Sequence, residues 1–187
     1  MKYIWTIQKK SIVNIINIED EYYPNFQYNN RKCNNAYQLV LDSFNKINKS
    51  NYIGLVFCFT KKGAAQYFKS IDELYKYFMD NPLVTDAFNL WDKSYVILQL
   101  QYSDDFNMIP VDFNDFIQIM SPVSDYNAYN VISSCIEQGI YLGEYTLASI
   151  TQVHVPFIKK ENIVKIYSNF DKINSDNTGI LTTFSLE

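Results

Sequence analysis

The segment "YIGLVFCFT" (52–60) constrains the fold more than any other part of the chain. A strand with one face in water alternates apolar and polar residues, because successive side chains point to opposite sides of the sheet. In this segment apolar residues follow one another without such alternation, which is typical of a strand that is buried on both faces. We therefore expect it to form a central, fully buried strand.

Two other segments show the alternation that the central strand lacks: "KYIWTIQ" at 2–8 and "YVILQLQY" at 95–102. In the second segment Val96, Leu98 and Leu100 share one face and Gln99 and Gln101 share the other, which predicts a half-buried strand. Three further strand candidates lie in the last third of the chain, at 150–157, 163–167 and 180–186.

Apolar residues at helical spacing predict five helices between these strands. The first is a short helix that is capped by Ser11, runs through Ile18 and carries Ile12, Ile15 and Ile16 on one side. The second covers residues 34–47, and the third begins at Ser70 and Glu73 and ends at Pro82. The fourth is capped by Asp112, and the fifth runs from Ser124 to Gly139.

The order of these elements is strand, two helices, strand, helix, strand, two helices and then strands. No linker rich in proline, glycine and serine interrupts them, so we predict a single globular domain over residues 1–187. Helices and strands mixed in this order predict an α+β fold, with a mixed or antiparallel sheet and flanking helices.

The charge of the chain disfavours nucleic acid as a partner. The formal net charge is −4 and the pI is near 5.0, whereas surfaces that bind nucleic acid are basic. The basic residues occur as scattered pairs, which are typical of solvated loops.

The cysteine pattern predicts a reducing environment. Cys33, Cys58 and Cys135 lie far apart and include no CxxC pair, so we predict neither a disulfide framework nor a metal site. The N-terminus has no signal-peptide core, and no apolar run approaches the length of a membrane span. We therefore predict a cytoplasmic protein without a membrane partner.

The sequence contains none of the strong catalytic motifs: no GxxxxGK[ST], no GxGxxG and no HExxH. Its single histidine, His154, lies in "ITQVHVPFI" (150–158). Alternation places Gln152 and His154 on the face opposite Val153 and Val155. The pair is therefore either a site or the solvent-facing side of an ordinary strand.

Two other features allow two interpretations each. Glu144 precedes this strand and is either a general acid or base or a loop charge. An aromatic loop either stacks on a planar ligand or covers one end of the core. Its aromatic residues are Tyr22, Tyr23, Phe26 and Tyr28.

Three segments, taken in order, resemble a bacterial family of unknown function that opens on a Trp-Thr-Ile-Gln strand. They are Trp5–Gln8, "LQLQYSDDFNMIPVDF" (98–113) and "ITQVHVPFIKKENIVKI" (150–166). This resemblance implies no activity, because none is established for the family.

Other segments resemble ADP-ribosyltransferase-like domains, especially the branch of toxins that modify DNA. These segments are "YIWT" (3–6), "FCFTKKGAAQYF" (57–68) and "QVHVPFIKKENIVKI" (152–166). The resemblance implies an α+β fold and a pocket for NAD or a related nucleotide. The residues that it implies for this pocket are Trp5, Thr6, Gln8, Thr60, Gln152 and His154, with Glu144 as a substitute acid.

Two positions depart from the transferase pattern. Ile4 stands where those domains have a histidine that contacts NAD, and Gln152 stands where they have a catalytic glutamate. Glutamine has the shape of glutamate, but it cannot carry the negative charge that stabilises an oxocarbenium-like centre. Gln152 is therefore either a decayed catalytic residue or a repurposed one.

Two functions are compatible with these observations. The first is an ADP-ribosyltransferase-like protein that binds NAD or a related nucleotide, without the standard transferase chemistry. The second is a non-catalytic binding module, such as a toxin–antitoxin, phage or defence-system protein, that sequesters a nucleotide or a protein partner.

Overall fold

The computed structural model of the protein describes residues 1–26, 34–61, 68–79, 93–120, 126–140 and 150–168. The strands are β1 (Lys2–Lys9), β2 (Glu21–Tyr22), β3 (Val56–Lys61), β4 (Tyr95–Tyr102), β5 (Ile109–Asp112), β6 (Ile150–Val155), β7 (Ile158–Lys159) and β8 (Ile163–Tyr167). The helices are α1 (Lys10–Glu19), α2 (Asn34–Asn48), α3 (Ile71–Met79), α4 (Phe113–Met120) and α5 (Tyr126–Gln138), with a 3-10 turn at Lys160–Asn162. Helices combined with antiparallel strand pairs confirm the α+β class.

The chain divides into two compact units, each built from segments that are distant in sequence. The first unit contains the described residues within 1–22, 68–103 and 159–187, and the second contains those within 23–67 and 104–158. The single domain over the whole chain stays a prediction.

In the first unit, strand β4 is paired on both sides. It pairs with β1 along the whole length of both strands, and with β8 through a register shift between Gln99 and Leu100. The strand predicted at 95–102 is confirmed, and Gln99 and Gln101 are half-buried as the alternation predicts.

Helix α1 differs from its prediction in both its start and its buried face. It begins at Lys10, directly after β1, and its N-cap Lys9 makes no side-chain capping bond, so Ser11 does not cap it. Its buried residues are Val13 and Ile16, whereas Ile15, which the spacing groups with Ile16, is 36% exposed. The apolar spacing alone did not settle the buried face, because packing after β1 orients the helix.

Helix α3 begins directly after Ser70, where the capping-box spacing of Ser70 and Glu73 predicts its start. The backbone N–H of Glu73 donates to the Ser70 hydroxyl over 3.2 Å, and the Glu73 carboxylate accepts from the backbone N–H of Lys69 over 2.8 Å. The Ser70 hydroxyl thereby satisfies one N–H of the first turn, and the Glu73 carboxylate satisfies the N–H of the residue before the cap. The predicted helix end at Pro82 lies outside the described residues.

In the second unit, strand β6 is paired on both sides, with β3 and with β5. Helices α2, α4 and α5 supply apolar side chains to one core with these strands. Its buried members are Ala36, Val40, Leu41, Phe44, Leu55, Ile109, Val111, Phe116, Ile119, Ile132 and Ile136.

Strand β3 begins at Val56, later than the apolar segment at 52–60 predicts, because Tyr52 is hydrogen-bonded to Asn45 of α2. The Asn45 side-chain oxygen accepts from the Tyr52 backbone N–H over 2.9 Å, and its amide donates to the Tyr52 carbonyl over 2.9 Å. The backbone N–H and carbonyl of Tyr52 therefore bond to a side chain near the end of α2. Residues 56–61 form the strand, and most of them are buried as predicted.

Two of the predicted helix ends are confirmed. The Asp112 carboxylate accepts from the backbone N–H of Asp115 over 3.4 Å at the start of α4. At the end of α5, Gly139 has φ 68°, and Ile140 N–H donates to the Cys135 carbonyl over 2.8 Å. This is the bond pattern of a Schellman motif, in which glycine takes the left-handed position. Ser124 and residues 180–186 lie outside the described residues.

The aromatic loop before α2 contributes to the core of the second unit. The Phe26 ring stacks on Phe57 at 6.0 Å between centroids and lies 5.7 Å from Tyr37. Tyr23 is 47% exposed, and Tyr28 lies outside the described residues. Phe26 therefore covers the core, as one of the two interpretations of this loop predicts.

Gly54 lies where the loop before α2 touches the segment before β3. A Cβ at this position would lie 2.5 Å from the Pro24 carbonyl oxygen and 2.7 Å from its carbon. Backbone atoms cannot move out of the way as the end of a flexible side chain can. We therefore expect Gly54→Ala to lower the free energy of unfolding, measured by urea denaturation, by about 1–3 kcal/mol.

The control for this substitution is Ile53→Ala, whose side chain is 57% exposed. We expect it to change the free energy of unfolding by no more than about 0.5 kcal/mol. Equal stability of Gly54→Ala and the wild type would contradict the close approach of the two segments.

Candidate functional site

The candidate site lies on strand β6 in the second unit. Gln152 is opposite Phe59 on β3 and Val111 on β5, and His154 is opposite Phe57 and Ile109. Directly opposed residues of antiparallel strands share a face of the sheet. The two polar side chains of β6 therefore lie on the same face as Ile109 and Val111.

This face is the one that the helices of the second unit cover, because Ile109 and Val111 belong to the core formed with α2, α4 and α5. Gln152 is 2% exposed and His154 is fully buried. The solvent-facing interpretation of the pair is therefore wrong. Strands β3 and β5 on either side of β6, together with helices α2, α4 and α5, bury Gln152 and His154, which the alternation pattern alone could have placed on a solvent-facing surface.

A backbone carbonyl fixes the tautomer of His154. Its Nδ1 lies 2.9 Å from the Ile109 carbonyl oxygen, which can only accept, so Nδ1 carries the hydrogen. Burial lowers the pKa of His154 from 6.5 to about 4, and the bond to Ile109 opposes this shift only in part. The ring is therefore neutral at pH 7, and its Nε2 presents a lone pair.

Aromatic rings flank the imidazole of His154. The Phe57 ring meets it edge-on, with centroids 4.7 Å apart and an interplanar angle of 88°. The Phe116 ring lies 6.5 Å away at 45°. These rings provide apolar surface around the imidazole but no acceptor or donor that matches a ring nitrogen.

Gln152 presents a second acceptor on the same face. Within the described part of the chain, neither Gln152 Oε1 nor His154 Nε2 has a hydrogen-bond partner, and both atoms are buried. Their residues are two apart on one strand, which separates the Cα atoms by roughly 7 Å. The site therefore contains two neutral acceptor atoms without a partner, in apolar and aromatic surroundings.

The other predicted site residues lie elsewhere. Thr60 is opposite Thr151, on the other face of the sheet from Gln152, and its hydroxyl donates to the Lys61 carbonyl over 3.0 Å. Glu144 lies outside the described residues. The structure therefore brings together only Gln152 and His154 among the predicted residues of the second unit that it describes.

Three predicted site residues, Trp5, Thr6 and Gln8, belong to the first unit. Trp5 is fully buried, and its indole N–H donates to the Phe68 carbonyl over 3.0 Å. The Gln8 amide donates to the Thr6 hydroxyl over 2.8 Å. The Trp5 indole is therefore part of a core, and Thr6 and Gln8 bond to each other.

Sequence reasoning missed three residues that shape this site: Ile109, Phe57 and Phe116. Ile109 acts through its backbone carbonyl, and no sequence pattern identified its strand, in which Pro110 follows directly. Phe57 lies in the segment predicted as a buried strand, and Phe116 lies in the helix predicted after Asp112, but nothing in their spacing indicated that they would meet a histidine. The register of β6 brings Ile109 and Phe57 to His154, and the packing of α4 brings Phe116.

Side chains that could ligate a metal ion are not clustered among the residues that the structure describes. Among them, no three His, Cys, Asp or Glu side chains are grouped so as to hold a metal ion. None of the helices in the described ranges is long and apolar enough to cross a membrane.

Comparison with known proteins identifies no relative. The sequence matches no protein-family model, no curated protein and no solved structure. The resemblances to ADP-ribosyltransferase-like domains and to the family of unknown function stay predictions.

Burial of neutral His154 makes stability depend on pH. Below pH 6.5 the unfolded chain binds a proton at this residue, whereas the folded protein does so only near pH 4. The free energy of unfolding should therefore fall as the pH falls from 6.5 to 4, by about 3 kcal/mol from this residue alone.

The substitution His154→Asn tests this linkage, because asparagine does not titrate. We expect its free energy of unfolding, measured by urea denaturation at several pH values, to fall less than that of the wild type over this range. Parallel curves for the two proteins would show that His154 is not buried in its neutral form.

Proposed function

We propose that the protein is an ADP-ribosyltransferase-like module that binds a nucleotide without carrying out the standard transfer of ADP-ribose. The observation that carries this proposal is the pair of buried, neutral acceptors, Gln152 Oε1 and His154 Nε2, on one face of β6. Gln152 stands at the position where the resembled domains have their catalytic glutamate.

The charge of the site argues against transferase chemistry. Cleavage of a ribosyl bond develops positive charge, and fixed negative charge nearby stabilises that transition state. Gln152 is a neutral amide, and His154 is neutral at pH 7 because burial lowers its pKa to about 4. Neither side chain supplies the missing charge.

The same features favour binding. A buried acceptor without a partner destabilises the fold by about 1–3 kcal/mol, and a ligand that donates a hydrogen bond removes this cost. The rings of Phe57 and Phe116 beside His154 suit a planar ligand. A nucleotide combines a planar base with N–H donors, so it matches both parts of the site.

Thermal unfolding in the presence of nucleotides tests the proposal. The panel is NAD, ADP-ribose and AMP. A ligand at about 100 times its Kd adds about 2.7 kcal/mol to the free energy of unfolding. For a chain of this length that is a rise in Tm of roughly 5–10 °C.

Gln152→Met should abolish most of this rise, because methionine keeps the length of the side chain and lacks the acceptor. Ile136→Val is the matched control, since it removes one buried methylene from the same core without touching β6. We expect the control to lower Tm without ligand and to keep the ligand-induced rise.

Two results would contradict the proposal. The first is an unchanged Tm with every nucleotide, which would favour the protein partner predicted as the alternative. The second is release of nicotinamide from NAD by the wild-type protein, which would show transferase or hydrolase chemistry.

A further inference from the structure

We propose that Gln152 Oε1 and His154 Nε2 together recognise the NH2 group of an aromatic ring, such as an exocyclic amine or a carboxamide; this inference rests on the proposed function. Both atoms are buried and lack a hydrogen-bond partner in the described part of the chain. The ligand group that binds to these two acceptors must therefore donate hydrogen bonds.

A backbone hydrogen bond determines which ring nitrogen of His154 donates and which accepts. The Ile109 carbonyl accepts from His154 Nδ1 over 2.9 Å, so Nε2 can only accept while the ring is neutral. Ile109 is directly opposite His154 in the pairing of β5 with β6, so the strand register maintains this bond. A keto oxygen or a carboxylate at Nε2 would place two acceptors against each other.

The number of acceptors favours an NH2 group over a single N–H. An aromatic amine or a primary carboxamide carries two N–H donors, one for each acceptor. The Phe57 and Phe116 rings beside His154 make the surroundings of the two acceptors apolar and aromatic, which suits the aromatic part of a ligand. The site therefore selects a planar ring that bears an amino or carboxamide group.

Two pairs of ligands that differ only in this group test the inference with the wild-type protein. AMP and IMP differ by an amino group against a keto oxygen, and nicotinamide mononucleotide and nicotinic acid mononucleotide differ by a carboxamide against a carboxylate. We expect the NH2-bearing member of at least one pair to bind about tenfold or more tightly than its counterpart. The pair that discriminates identifies the source of the NH2 group.

Substitutions separate recognition from a structural role. Gln152→Met should reduce the discrimination to within about twofold, while Ile136→Val should leave the ratio of Kd values unchanged. Without ligand, Gln152→Met should be no less stable than the wild type, because it removes a buried acceptor that has no partner. A residue needed only for folding would give the opposite result.

The possible failures are distinguishable. If both members of each pair bind equally well, donor recognition is wrong while nucleotide binding stands. If no nucleotide binds, both the recognition of an NH2 group and the proposed function are wrong, and the two acceptors bind a buried water molecule instead. The comparison of ligand pairs needs no variant, so it decides the question even if Gln152→Met does not fold.

Discussion

The antiparallel register of β6 between β3 and β5 is the constraint on which the candidate site depends. It places the Ile109 carbonyl beside His154, and that bond assigns the donor hydrogen to Nδ1 and the lone pair to Nε2. A slip of one residue would turn Gln152 and His154 to the other face of the sheet. The chemistry of the site is therefore a property of the strand pairing as much as of the two side chains.

The cost of this arrangement points to a function. Each buried acceptor without a partner destabilises the folded state by about 1–3 kcal/mol, against a total stability of about 5–15 kcal/mol for a typical domain. Val153 and Val155 on the same strand show that apolar residues suit its buried positions. Polar groups that break the local rule for a buried strand are characteristic of binding or active sites.

Much of the local structure could be predicted from the sequence, because short-range interactions determine it. The Ser70 cap, the Asp112 cap and the Gly139 helix end each involve residues that are near neighbours in the chain. Strand β5 was missed because it is short and contains Pro110. Its existence depends on pairing with β6, which is distant in sequence.

The sequence by itself determined the α+β class, the strand that carries Gln152 and His154, and the absence of a carboxylate at position 152. Only the tertiary structure decided that this pair is buried, because exposure depends on which elements pack over a strand. It also decided that Thr60 lies on the other face and that His154 Nε2 is an acceptor, since both follow from strand register. Alternation tells which side chains share a face of a strand, but long-range packing decides what that face meets.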